Sequence, residues 1–435
     1  MKNYDVVIVG GGTAGCACAW NCGKLGLSTL LIEKSETLGG AMTAGLVVPV
    51  MNTGKNQINT DFYKNLISEM KKVRGQIKYQ DNSGWLNPEL LKITLDKMLI
   101  EKNIEILFDA EIINAKISNH AVSIEINKKL STYINSLYGN NTILYNDDLL
   151  VHIEARYVVD ATGDGNFSKK INCKFLENEN EFQPLSLRFI MSGINTDKFA
   201  KFIQEKDLDR DVTTVECIDG NTYLSTAYTW DTDKHWALAD LFDDAVSKNI
   251  LKDTDRNYFQ IFSVAGTPDS IAFNCPRIIE NINPNVIEDR TRALIEARQA
   301  ILRLSDFCKI YFPGFEKAYI SNIANSLGVR ASNRVMGKYV YTIEDLRSGK
   351  KFDNPALISN YPVDVHSHKK NSSTLEKNGE YQLPIESLMS ADYDNLYIAG
   401  RCLSADHLAQ GALRVQASCF SMGEAVAKHI KSRIS

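Results

Sequence analysis

Residues 5–34 read DVVIVGGGTAGCACAWNCGKLGLSTLLIEK, and this stretch decides the fold. Residues 4–10, YDVVIVG, are apolar and rich in β-branched side chains, the pattern of a parallel strand buried on both faces. A tight glycine turn follows. Gly10, Gly12 and Gly15 give the spacing G-x-G-x-x-G, in which the first glycine allows the turn, the second lets a pyrophosphate approach the backbone, and the third lets helix and strand pack closely. The helix that opens at Thr13 and Ala14 then turns its N-terminus toward the phosphates. Small residues at Ala19 and Gly26 keep its inner side narrow, and STLLIEK supplies a second strand ending in Glu33 and Lys34. Glu33 lies 18 residues beyond Gly15, where a carboxylate accepts hydrogen bonds from a ribose diol. Strand, glycines, small helix residues, second strand and acid together predict dinucleotide binding.

Composition narrows the remaining classes. A chain of 435 residues that is 44% hydrophobic is long enough for two structural domains folded around one site. Its formal charge of −4 gives no general attraction to nucleic acid or an anionic membrane, so neither partner is expected. No run approaches the length of a membrane span, and the N-terminus lacks the hydrophobic stretch of a secretory signal. The cytoplasm is the expected compartment, and its reducing poise leaves the nine cysteines as thiols. Cys16, Cys18 and Cys22 share the first helix, but none of the pairs forms C-x-x-C, so small buried cysteines are expected and no metal is assigned.

Three further segments separate one dinucleotide from another. Residues 35–47, SETLGGAMTAGLV, carry Gly39, Gly40, Thr43 and Gly45 and resemble the G-G-x-x-T/S-x-G loop of flavoproteins of the glutathione-reductase structural superfamily. ARYVVDATGDGNFS ends a strand in Ala161-Thr162-Gly163 and resembles their A-T-G strand. YDNLYIAGRCLSADHLAQGALRVQASCFSMGEAVAKHI ends a strand at Gly400, continues through Arg401 and His407, and opens a helix around Leu413 and Arg414. In this order the segments resemble the FAD-dependent oxidoreductases that include the flavin domain of heterodisulfide reductase. The likeness extends to SLGVRASNRVMGKYVYTIEDL and NYPVDVH, so it covers most of the chain. It implies FAD as cofactor, held at Gly10, Gly12, Thr13, Ala14, Gly15, Glu33, Lys34, Gly39, Gly40, Thr43, Ala161, Thr162, Gly163, Gly400, Arg401, Leu413 and Arg414. The chain departs from such relatives in having no C-x-x-C-x-x-C-x-x-x-C-P run, no second G-x-G-x-x-G and no C-x-x-x-x-C pair. Iron–sulfur centres and a pyridine-nucleotide–disulfide reductase are therefore not expected.

The expected fold class is α/β: a Rossmann-like FAD-binding domain with a parallel sheet, plus an inserted α+β substrate domain. The FAD domain is expected to be discontinuous, from residues 1–50, 85–175 and 385–435, with 51–84 and 176–384 forming the substrate domain. Residues 128–148 read as a surface elaboration, and 367–380, almost without apolar residues, as a mobile loop over the site or at the surface.

Candidates for chemistry are Arg330, Arg334, His366, His407 and Arg401. Arg330 and Arg334, four apart, suit bidentate recognition of an oxyanion; an interdomain salt bridge is the plainer alternative. His366 and His368 would share a face if their segment is extended, and a neutral imidazole suits proton transfer near pH 7. The H-x-H spacing also occurs in metal sites but has no third ligand nearby in sequence. Arg401 and His407 lie in the loop after the last strand of the nucleotide domain. Cys402 shares that loop as a possible thiol nucleophile. The reading is an FAD-dependent oxidoreductase moving a hydride between flavin N5 and a small organic substrate. The alternatives are a non-redox or electron-transfer flavoprotein serving a partner, then a flavin monooxygenase.

Overall fold

The computed structural model describes residues 2–51, 58–118, 121–128, 150–177, 182–228, 236–278, 280, 282–366, 374–376 and 379–434. The first strand, Lys2–Val9, lies parallel between Thr29–Ile32 and Leu150–Asp160, with Val6 opposite both Thr29 and Tyr157. Glu105–Leu107 extends the sheet beyond Thr29–Ile32. The long strand Leu150–Asp160 has a divided outer edge. Its early half pairs antiparallel with Val122–Lys128, and its last residues pair parallel with Leu396–Ile398. The chain therefore leaves the first strand to one side and returns on the other, so the carboxyl end of Lys2–Val9 sits at the switch point where open α/β sheets bind ligands.

Helix Thr13–Lys24 crosses back over this sheet and packs against the C-terminal helix Gln416–Ile434. The contact is close because it is built from small residues: a Cβ on Gly423 would stand 2.3 Å from the Ala14 carbonyl oxygen. Helix Pro88–Ile100 is fixed at its start by Asn87, whose side chain accepts from the amides of Glu89 and Leu90, with proline at the first helical position.

A second core lies under a six-stranded antiparallel sheet in the order 213–218, 221–228, 259–264, 267–273, 189–192, 319–323. Helices Thr196–Lys206, Ala239–Ser247 and Ile287–Tyr311 cover it. Its centre is aromatic: Phe189 stacks on Phe273 at 4.3 Å, and Phe259 touches Phe242, Phe273 and Phe312 edge to face.

The division expected from sequence does not follow the two cores. Helix Asp61–Lys72 buries Phe62, Leu66, Ile67 and Met70 in the first core, against Trp20 and Phe420. Residues 341–384 do the same through Tyr341, Leu357, Val363, Tyr381 and Leu383. Helix Asp61–Lys72 has one apolar face, and the helices of the nucleotide unit cover it. Within the segment expected as a loop, Thr374–Glu376 forms a strand paired with Val363–Val365; its other residues up to 378 lie outside the described residues, as do 129–149. Among the described residues no helix is long and apolar enough to cross a membrane.

Candidate active site

The glycine turn is built by exclusion. A Cβ on Gly15 would stand 1.9 Å from the Gly10 carbonyl oxygen, and one on Gly10, where φ is +102°, would stand 2.6 Å from that of Ala161. Neither position has room for a side chain. Gly12 differs: a Cβ there would meet nothing within 4 Å, so its outer face looks into open space at the N-terminus of helix Thr13–Lys24. That helix has no side-chain cap, and its first amides are left for a ligand.

Glu33 braces the turn from beneath. Buried at the end of the second strand, its carboxylate accepts the Gly11 amide at 2.6 Å and the Ser35 amide and hydroxyl at 2.8 Å each. Lys34 beside it is exposed. The loop at Gly39 and Gly40 lies against the turn, with the Gly39 amide donating to the Gly11 carbonyl at 2.8 Å and a Cβ on Gly40 3.0 Å from the Gly12 Cα. Thr43 is buried and turned inward, donating to the Leu38 carbonyl.

Two more loops close the crevice. Asp160, fully buried, accepts from the amides and hydroxyls of Thr162 and Ser168, which holds Ala161-Thr162-Gly163 in place and leaves the Thr162 hydroxyl committed inside the protein. Gly400, at φ +96°, brings its backbone against Ala14. Arg401 is a clamp rather than a free cation. Nε donates to the Gly163 carbonyl at 3.0 Å, Nη1 to the Val329 carbonyl at 2.6 Å, and Nη2 to Asp164. Burial would raise the Asp164 carboxyl, but the Arg401 charge holds it below the usual carboxylate range.

Arg330 and Arg334 face different partners. Arg334 ties the Ala405 and Glu177 carbonyls together at 3.1 and 2.9 Å. Arg330 instead donates to the Pro184 carbonyl at 2.9 Å and joins a buried cluster that the sequence did not disclose. Arg277 stacks its guanidinium 3.4 Å from the Tyr258 ring centroid. Arg188 donates to Asn274 at 2.6 Å, and Asn274 donates to the Tyr258 hydroxyl at 3.0 Å. From the nucleotide unit, Arg414 reaches the Asp364 carbonyl at 2.9 Å, and Asp364 Oδ1 lies 3.2 Å from His366 Nε2.

His366 thus lies within this cluster. Burial and the Arg277 charge outweigh the Asp364 contact and push its imidazole down to about 3, so the ring is neutral at ordinary pH. Asp364, which burial would raise, is held well below the carboxylate range by His366 and by Arg414 and Arg330. Burial also lowers the Arg330 proton affinity, with Arg277 adding to the effect. His407 opens helix His407–Leu413, which Asp406 caps by accepting the Ala409 amide at 2.8 Å; Leu413 is fully buried at its end. Cys402 is buried and its thiol is pushed up by that burial, so it is not an activated nucleophile. Cys16 is likewise pushed up to about 12, by burial above all. No group of three or more His, Cys, Asp or Glu side chains arranged to hold a metal occurs among the described residues.

A family model described as FAD dependent oxidoreductase matches residues 5–431. The chain belongs to that family. FAD is therefore its cofactor, and the chain is a flavin-dependent enzyme. The open face of Gly12 beneath uncapped helix amides fits a pyrophosphate. Digeranylgeranylglycerophospholipid reductase of Methanococcus vannielii is 33% identical over 66 residues, 15% of this chain and 17% of that protein. Dihydrolipoyl dehydrogenase 3 of Pseudomonas putida is 52% identical over 40 residues, 9% of each chain. The chain thus aligns with only a small part of these curated relatives. Among solved structures, a geranylgeranyl bacteriochlorophyll reductase-like protein of Thermoplasma acidophilum aligns over 100% of this chain and 79% of that one, at 14% identity and a TM-score of 0.47. The myxobacterial chondrochloren halogenase CndH aligns at 11% identity over 100% of this chain and 76% of that one, with a TM-score of 0.48.

Proposed function

We propose that the chain moves a hydride between FAD and a small organic substrate held against the cluster around Arg277 and Arg330. What carries the reading is that this cluster draws on both units of the fold: Arg414 and Asp364 from the nucleotide side, Arg188, Arg277 and Arg330 from the six-stranded side. Small-molecule sites gather where two units meet. When bound, FAD supplies hydride exchange at its ring, and the chain's residues supply binding, orientation and proton management. The Gly12 turn and the helix amides receive the pyrophosphate, and the Glu33 carboxylate has a remaining lone pair for a ribose hydroxyl.

Arg401 holds the Gly163 loop to Val329 and so keeps the crevice at fixed width. His366, with Nε2–H directed at Asp364 and the ring held neutral, keeps its lone pair on Nδ1 as a hydrogen-bond acceptor that can orient a substrate. Within the family we place the chain beside the flavin domains of heterodisulfide-reductase-like proteins, on the A-G-R sequence at 399–401. A cytoplasmic location and a transiently docking electron partner belong to the same proposal.

The test is anaerobic mixing of the FAD-loaded protein with free small-molecule reductants while the flavin absorbance is followed. Bleaching within a turnover time by one compound class supports the proposal. Reduction only by another protein, with every free compound inert, would instead favour the electron-transfer reading.

A further inference from the structure

The buried cluster is chemically one-sided. Four guanidinium groups, those of Arg188, Arg277, Arg330 and Arg414, act on one another, and one carboxylate, that of Asp364, lies among them. With His366 neutral, most of that positive charge is unmatched among the described residues. Among the described residues, five buried nitrogen atoms there have no hydrogen-bond partner: Arg277 Nε and Nη2, Arg188 Nη1, Arg414 Nε and Gln183 Nε2. All five are donors. Gln183 belongs to the same place, because its side-chain oxygen accepts the His366 amide at 3.2 Å. Arg277 is only 9% exposed and Arg330 8%, so bulk water does not satisfy this charge.

Buried unpaired donors and unmatched charge of one sign call for an acceptor-only group of the opposite sign. We infer that the substrate is an organic acid, and that its carboxylate is received on the Nε–Nη2 edge of Arg277, with Arg188 and Arg414 completing the contact. The edge left free on Arg277 is the flat side of the guanidinium, with two parallel N–H groups matched to the two coplanar oxygens of a carboxylate. Stacking on Tyr258 fixes the plane of that fork. The inference rests on the proposed reading of the chain as a flavin oxidoreductase with a small-molecule substrate, and it names that substrate's recognition group.

The experiment uses FAD-loaded full-length protein with benzoate, succinate, their uncharged amides and inorganic phosphate. Binding is read by calorimetry, by perturbation of the flavin spectrum and by thermal shift. At least one carboxylate is expected to bind with Kd below about 1 mM, while the matching amide binds at least tenfold more weakly. Arg277→Gln should weaken carboxylate binding at least tenfold with its flavin content unchanged, and Arg277→Lys should restore it only in part, because an ammonium lacks the fork. Arg188→Gln gives an independent readout if the Arg277 variants do not fold. Amides binding as well as acids, phosphate alone saturating, no anion binding at all, or the Arg277 and Arg188 variants binding like the wild type would each overturn the inference. Failure of the flavin reading is distinguishable in the same samples. A colourless wild type would count against that reading, while calorimetry still reports whether it binds the carboxylate.

Discussion

Replacing Gly12 by alanine separates the cofactor site from the fold. Gly12 has φ −75° and ψ −165°, an extended conformation open to any residue, and its Cβ would point into empty space. The substitution therefore adds no strain. It removes conformational freedom from the unfolded chain, which stabilises the cofactor-free protein by about 0.4–1 kcal/mol. For a chain of this size that is a rise in midpoint of no more than about 2–4 °C. The added methyl group occupies the face that a pyrophosphate must approach, so FAD affinity should fall at least tenfold, about 1.4 kcal/mol. The two effects have opposite signs. Flavin-fluorescence titration of the cofactor-free proteins measures one, and thermal unfolding of the same samples measures the other. FAD binding within about twofold of wild type would refute the placement of the pyrophosphate at this turn. Gly15→Ala is the contrast, since its Cβ would lie 1.9 Å from backbone oxygen, and it should lower stability by more than the roughly 1–3 kcal/mol of ordinary overpacking.

Glu33→Gln keeps one acceptor oxygen but turns an amide group toward the donors at Gly11 and Ser35, which should cost roughly 1–3 kcal/mol in denaturant unfolding and weaken FAD as the turn loosens. His366 gives stability a defined pH dependence. Its folded value of about 3 lies below the unfolded value near 6.5, so between those limits the unfolded chain takes up a proton that the folded chain refuses, and stability falls as pH is lowered. His366→Gln should flatten that slope without abolishing it, because burial lowers the partly exposed His429 in the same direction. Phe312→Ala removes a ring packed against Phe199, Phe259, Phe307 and Phe315 and should cost about 3–5 kcal/mol in equilibrium unfolding. Of the nine cysteines only Cys217 is exposed, so a thiol reagent should modify one thiol per native chain rapidly, and none in Cys217→Ser.

The nucleotide half of the fold was legible because its constraints are local. Gly10, Gly12, Gly15 and Glu33 lie within one strand–helix–strand unit, and each has a stereochemical reason that does not depend on distant contacts. Residues 61–72 and 341–384, expected in the substrate domain, pack in the first core, because an apolar face does not name the surface that will cover it. The arginine cluster was hidden for a related reason. Arg188, Arg277, Arg330 and Arg414 come from separated segments, and no spacing links them until the sheet and the helix His407–Leu413 bring them together. A signal was present in the charges set inside apolar runs, Arg188 in SLRFIMS and Arg277 in NCPRII, where a cation is costly unless something pairs with it. Arg401 stood out in the sequence by its place after the last strand of the nucleotide domain and Arg334 by its spacing from Arg330. Yet Arg334 Nη1 and Nη2 and Arg401 Nε and Nη1 donate to backbone carbonyls, and Arg401 Nη2 donates to Asp164. A short polar motif identifies a residue type, whereas the number of donors left over is a property of the folded surroundings.

The measurement that tests the account most directly is the absorption spectrum of the purified protein, followed by acid precipitation and identification of what is released. An oxidised-flavin spectrum with one FAD freed per chain from the wild type, and little or none from Gly12→Ala, is the predicted result. A folded wild type that is colourless and takes up no added FAD, or one whose flavin content is untouched by the substitution, would contradict it.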